Sequence, residues 1–231
     1  MPDARHRNGE QDRMQSPPDQ HCLPQPDLIP SGGTDEKRTA GRVCNLIRPA
    51  KVVTPFGEFL CVIRDVSETG ISLRIFHPLP DCPEMLIEQP NGDRYAVGLV
   101  WQNSDRAGFR FTGEADMDRI LTHPDRFHKR PIRVAINAPV ELTAGVQMVR
   151  AELLDISQQG AKIACDQLLA IEQRVKIRAP GLRETRAKVR WRRNGFLGLA
   201  IDDTFQFEEL ARSVCTLHQS LGNLPRQGMR I

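Results

Sequence analysis

Two short patterns in this sequence carry groups able to do chemistry, and each occurs twice. The first is a basic run, Lys37-Arg38-Thr39-Ala40-Gly41-Arg42 and again Arg126-Phe127-His128-Lys129-Arg130-Pro131-Ile132-Arg133. The second is Asp-x-Ser-x-x-Gly, standing as Asp65-Val66-Ser67-Glu68-Thr69-Gly70 and as Asp155-Ile156-Ser157-Gln158-Gln159-Gly160. The basic run suits anion capture. A guanidinium is a planar fork that meets phosphate oxygens two at a time, and the same plane stacks on an aromatic base. An Arg-x-x-x-Arg spacing puts both groups on one side of an extended segment or of a helical turn. A solvated charged linker is the plain alternative. Asp-x-Ser-x-x-Gly also has a plain reading, a strand-ending turn. Asp and Ser two apart then point the same way, and Gly supplies a positive φ. The carboxylate can instead accept hydrogen bonds from the edge of a guanine or hold an arginine, and the serine can bond a phosphate oxygen or the turn backbone.

The elements that must position these groups are duplicated as well. Shifting the sequence by 90 residues places Pro49 on Pro139, Asp65-Val66-Ser67 on Asp155-Ile156-Ser157 and Gly70 on Gly160. Trp101 falls on Trp191 and Gly108 on Gly198, so both tryptophans of the protein share the register. Two copies of one small domain explain this without a gap. Each copy offers short runs of apolar-polar alternation between turn signals, the mark of an antiparallel barrel or sandwich. The first copy reads as strands over 50–54, 58–64, 71–76, 84–88, 95–101 and 108–112. The second reads as strands over 140–142, 148–154, 161–165, 174–177, 187–191 and 197–201. A short helix is expected over 116–121. A longer one is expected from Thr204 to about Leu221, with Phe207, Leu210, Val214, Leu217 and Leu221 on one stripe, Thr204 as cap and Gly222 as stop. Packing of that helix on its own barrel is preferred to pairing between protomers. Residues 1–33 are polar and rich in proline and read as a disordered tail. The domains are then 34–115 and 122–222, the second including the helix.

Composition narrows the function. The chain has 231 residues with 39% hydrophobic and 26% charged, ordinary for a globular protein, and no apolar run is long enough for a membrane helix. A formal charge of only +3 means that anion binding must come from local clusters. The start of the chain has no secretory pattern, so a cytoplasmic location is expected, and the six scattered cysteines, none in Cys-x-x-Cys spacing, read as reduced thiols. The six histidines show no metal-ligand spacing and no Gly-rich phosphate loop opens a helix, which disfavours an enzyme and any resident cofactor. Arg190-Trp191-Arg192-Arg193 could serve single-stranded nucleic acid. The neutral flanks of Trp101 in the same register make a structural tryptophan the better reading, and nucleic acid is disfavoured as a partner.

Arg-x-x-x-Arg, about 22 further residues and then Asp-x-Ser-x-x-Gly, in a six-stranded β domain with a late Trp and Gly, resembles the PilZ family of bacterial cyclic di-GMP receptors. The resemblance implies two tandem six-stranded antiparallel β-barrels with a C-terminal helix after the second. It implies a non-enzymatic receptor that passes the level of this dianion to an unknown protein partner controlling motility, surface attachment or exopolysaccharide production. A ligand-free interaction adaptor on the same fold is the alternative. Carried across, Arg38 and Arg42 would clamp the ligand in the first copy over Asp65, Ser67 and Gly70. In the second copy Arg126 and Arg130 have the spacing, but their distance from Pro139 favours Arg133 with Lys129, and Arg130 as a substitute, over Asp155, Ser157 and Gly160. Lysine keeps the charge and loses the fork, so the first copy is expected to bind more tightly.

Overall fold

The computed structural model describes residues 43–121 and 131–223. Arg38, Arg42, Lys129, Arg130 and the expected tail over 1–33 lie outside the described residues. Two closed six-stranded antiparallel barrels fill most of the rest. The first contains β1 (Val43–Thr54), β2 (Gly57–Ser67), β3 (Gly70–Arg74), β4 (Met85–Glu88), β5 (Arg94–Gln102) and β6 (Arg106–Phe111). A one-turn helix, α1 (Met117–Leu121), follows. The second contains β7 (Val134–Ala144), β8 (Gln147–Ile156), β9 (Gly160–Ala164), β10 (Arg174–Ala179), β11 (Leu182–Arg193) and β12 (Phe196–Ile201), followed by helix α2 (Phe207–Ser220). Around the first barrel the order is β1-β2-β3-β6-β5-β4, and β7-β8-β9-β12-β11-β10 repeats it. The internal repeat seen in the sequence is therefore a repeat of whole barrels.

Period-two patterning builds the walls. Along β7, Val134, Ile136, Ala138, Val140, Leu142 and Ala144 are buried and the residues between them mostly exposed. The sequence reading starts this strand only at Val140, past a break in regular pairing. In the barrel the break is a bulge. Asn137 takes a left-handed φ of 56°, and pairing with β8 shifts between Ala135 and Ala138. β1 likewise begins at Val43 rather than Ala50, with its own register shift between Cys44 and Arg48. Each proline, Pro49 and Pro139, sits one residue past such a shift.

Helix α2 differs from expectation at its start and in its seat. The cap is Gln206 rather than Thr204. The Gln206 N–H donates to the Glu209 carboxylate at 3.4 Å, the N3 arm of a capping box, which a reading limited to Ser, Thr, Asp and Asn overlooks. The helix buries Leu210, Ala211, Val214 and Leu217 in the core of the second barrel, as expected. It also reaches the first barrel. Phe207 meets Phe76 edge-on at 5.8 Å, and the His218 ring lies over Gly57 and 5.2 Å from Phe59. Leu60 and Phe76 of the first barrel join the second barrel's core. The helix is thus a wedge common to both barrels. No helix among the described residues is long and apolar enough to cross a membrane.

Candidate functional site

The Asp-x-Ser-x-x-Gly segment of the second barrel is the end of β8, a tight turn and the start of β9. Ser157 is fully buried, and both its N–H and its hydroxyl donate to the carbonyl of Gly160, at 2.8 and 3.1 Å. Its partner in the first barrel, Ser67, donates to Gly70 O at 3.2 Å. The serine therefore staples the turn, while Asp155 keeps a quarter of its side chain exposed. The two side chains part because β8 ends at Ile156, so Ser157 already belongs to the turn while Asp155 is still on the strand. The glycine's purpose also differs from the sequence reading, since neither Gly70 nor Gly160 has a positive φ. A β-carbon on Gly160 would lie 2.8 Å from Leu199 O, and one on Gly70 2.4 Å from Phe109 O. Glycine is needed there because the neighbouring strand passes close by.

Asp155 faces Arg133, whose guanidinium Nη1 donates to Oδ1 at 2.5 Å. Arg133 stands one residue before Val134, which pairs with Ile156. In the first barrel Val43 pairs with Val66 in the same way, and Arg42 is the residue before it in sequence. In sequence, Arg133 and Arg42 each immediately precede the first paired residue of their ladder. The extra residue inside the β1 bulge accounts for the slip in the 90-residue register.

Around this pair lies an open cleft of about 540 Å³ on the second barrel, whose lining includes Arg133, Asp155, Gly160, Lys162, Arg190 and Trp191. Three cationic side chains and one carboxylate leave the lining with an excess of two positive charges. Trp191 is held by the sheet: it pairs with Gly198 across β11 and β12, and a β-carbon on Gly198 would fall 1.9 Å from its Nε1. Nearly half of the Trp191 residue remains exposed. Arg190 is tethered to Glu172 at 2.8 Å, and Arg192 donates to Leu169 O at 3.1 Å. Two of the arginines in the Arg-Trp-Arg-Arg run are therefore drawn to separate local partners.

Lys162 and Arg190 are the residues the sequence reading missed as members of this site. The signal was available where the copies differ. Lys162 pairs with Asp155 exactly where Ser72 pairs with Asp65, and Arg190 precedes Trp191 as Val100 precedes Trp101. In the first barrel Ser72 donates to Asp65 at 2.8 Å. The expected priority of the first copy rests on Arg38 and Arg42, outside the described residues, whereas the described basic cleft belongs to the second. Among the described residues, no group of three His, Cys, Asp or Glu is placed to hold a metal.

Residues 124–215, which span the second barrel and most of α2, match the family model described as "PilZ domain". The match covers the second barrel, and the first barrel shares its strand order. No curated protein matches the chain. Among solved structures it is similar to the PlzA protein of Borreliella burgdorferi in complex with c-di-GMP, at 12% identity, covering 74% of this chain and 88% of that one, with a TM-score of 0.31. It is similar to the Bacillus subtilis inhibitor of motility MotI/DgrA at 13% identity, covering 78% and 99%, with a TM-score of 0.32. It is also similar to Escherichia coli YcgR in complex with c-di-GMP at 12% identity, covering 76% and 84%, with a TM-score of 0.29.

Proposed function

We propose that the protein is a non-enzymatic receptor for cyclic di-GMP and that the cleft of its second barrel is the principal binding site. One observation carries the reading: Arg133 and Asp155 meet in a cleft lined also by Lys162, Arg190 and the exposed part of Trp191, on the barrel that matches the PilZ family model. Each part suits a cyclic dinucleotide dianion. Guanidinium and ammonium groups answer the phosphates, Arg133 and Trp191 offer planes for a purine, and Asp155 offers an acceptor for guanine N–H groups. Lys129 and Arg130, close to Arg133 in sequence, would add cationic contacts. The effector output fits control of motility, attachment or exopolysaccharide through a protein partner in the cytoplasm.

The first barrel supports a second role. Ser72 occupies Asp65, and neutral Ser72 and Val100 replace the cations of the second copy. That chemistry favours an interaction module there, unless Arg38 and Arg42 supply the missing charge. Calorimetric titration with cyclic di-GMP separates the cases. Arg133→Ala should weaken binding by about a hundredfold, for a guanidinium that both pairs and stacks. Arg42→Ala should change it by less than about threefold. The reverse order of effects would move the principal site to the first barrel.

A further inference from the structure

The main chain that carries Arg133 is gripped by the other barrel. Lys51 of β1 is only 7% exposed, and its ammonium donates to Glu58 at 2.9 Å, lies 3.1 Å from Glu88 and donates to the carbonyl oxygen of Arg133 itself at 3.1 Å. Glu58 of β2 then accepts the backbone N–H of Ala135 at 2.8 Å. Arg94 closes the group on Glu88 at 2.7 Å. Two cations and two carboxylates therefore balance, and the Lys51 ammonium has two hydrogen-bond acceptors and a second carboxylate beside it, the pairing a buried charge requires. The clip seizes the backbone on both sides of Val134, where the β7–β8 ladder begins. Arg133 precedes that first rung, so its own barrel does not fix it by strand pairing. Upstream, Arg48 of β1 donates to the carbonyls of Ile120 and Leu121 at the end of α1, at 2.6 Å for Ile120. The hairpin β1–β2 thus holds the chain both before residue 122 and after residue 131.

We propose that Lys51 and Glu58 are positioning residues for Arg133: the first barrel sets the place of the second barrel's ligand-facing guanidinium. The ligand consequence rests on the reading of the cleft as a cyclic dinucleotide site. The clip touches backbone atoms only, so it leaves the Arg133 side chain free to turn between Asp155 and a ligand. Its effect on binding is through preorganisation, since a segment already held loses less freedom when a ligand arrives.

The full chain is tested as wild type, Glu58→Ala, Glu58→Gln and Ala135→Pro. The last removes the clipped N–H while Lys51, Glu58 and Glu88 stay paired, and it keeps the test open should Glu58→Ala fail to fold. Amide exchange at residues 133–136 is measured without ligand, and cyclic di-GMP affinity by calorimetry. Glu58→Ala should speed exchange of the Ala135 amide and weaken binding by about tenfold, the worth of one charge-assisted hydrogen bond. Glu58→Gln retains an acceptor oxygen and should restore affinity to within about threefold of wild type. Ala135→Pro should bind like Glu58→Ala. Unchanged exchange in Glu58→Ala overturns the clip. Faster exchange with wild-type affinity in both Glu58→Ala and Ala135→Pro overturns its positioning role. Absence of binding by the wild type would instead sink the cleft reading, and the ligand-free exchange still decides whether the clip holds the segment.

Discussion

Gly198 and Trp191 show how a single atom can define a site. A methyl on Gly198 would fall inside the indole, 1.9 Å from Nε1. Gly198→Ala should therefore dislodge Trp191, costing about 1–3 kcal/mol as an overpacked contact. The tryptophan emission should shift to the red. Cyclic di-GMP binding should weaken with it, while an unchanged spectrum would show that the indole does not rest on β12. The pairing of a late Trp with a Gly was visible in the sequence, but its reason was not, because contact across two strands leaves no local pattern. Lys162 and Arg190 escaped for a different reason. Alignment of two copies draws the eye to shared residues, and these two cations are where the copies part. The thiols are easier to place. Cys61 and Cys215 are buried, and burial pushes the Cys215 thiol up to about 11, so neither should react with a thiol reagent at pH 8 until the protein unfolds. Rapid modification of the native chain at either position would contradict that burial.

At the scale of elements, the hairpins and the helix decide where groups can meet. Asn194-Gly195 joins β11 to β12 with φ of 50° and 76°, the two-residue turn whose twist matches its strands. That turn sets the register that brings Trp191 opposite Gly198. Asn-Gly is a short-range signal fully legible in sequence, as is the alternation along β7. The seat of α2 was not legible, because a lone His218 beyond an apolar stripe does not announce which barrel it meets. Its Nε2–H donates to Glu58 O at 3.2 Å, and its Nδ1 is buried without a partner. His77, on the other contact of Phe59, donates Nδ1–H to Pro78 O and likewise has an unpartnered Nε2. Burial pushes both imidazoles below their ordinary 6.5. Glu58 opposes the shift at His218, while His218 and Arg212 add to it at His77. On unfolding the rings regain the higher value, so the unfolded chain binds more protons just below pH 6.5. Their contribution is complete above pH 6.5 and is lost as pH falls towards their folded values. Urea midpoints should accordingly drop between pH 7.5 and 5.5, and His218→Gln should flatten part of that drop. A wild-type midpoint constant over this range would contradict the assignment.

For the whole molecule, the structure describes two barrels that are not independent beads. Leu60 and Phe76 of the first enter the core of the second, α2 touches both, and the Lys51–Glu58 clip crosses between them. Thermal unfolding should therefore be one cooperative transition, and two well-separated transitions would contradict a shared core. Duplication and barrel architecture could be read from the 90-residue register, since period-two patterning and turn residues are local. The joint between barrels could not, because Lys51 and Arg133 are brought together only by the fold. The central claim, that the second barrel's basic cleft receives cyclic di-GMP through Arg133 and Asp155, is tested most directly by one calorimetric titration of the wild type beside Arg133→Ala. The account predicts saturable binding by the wild type and its loss, or a drop of about a hundredfold, in the variant. Equal affinity of the two proteins, or no heat from either, would contradict it.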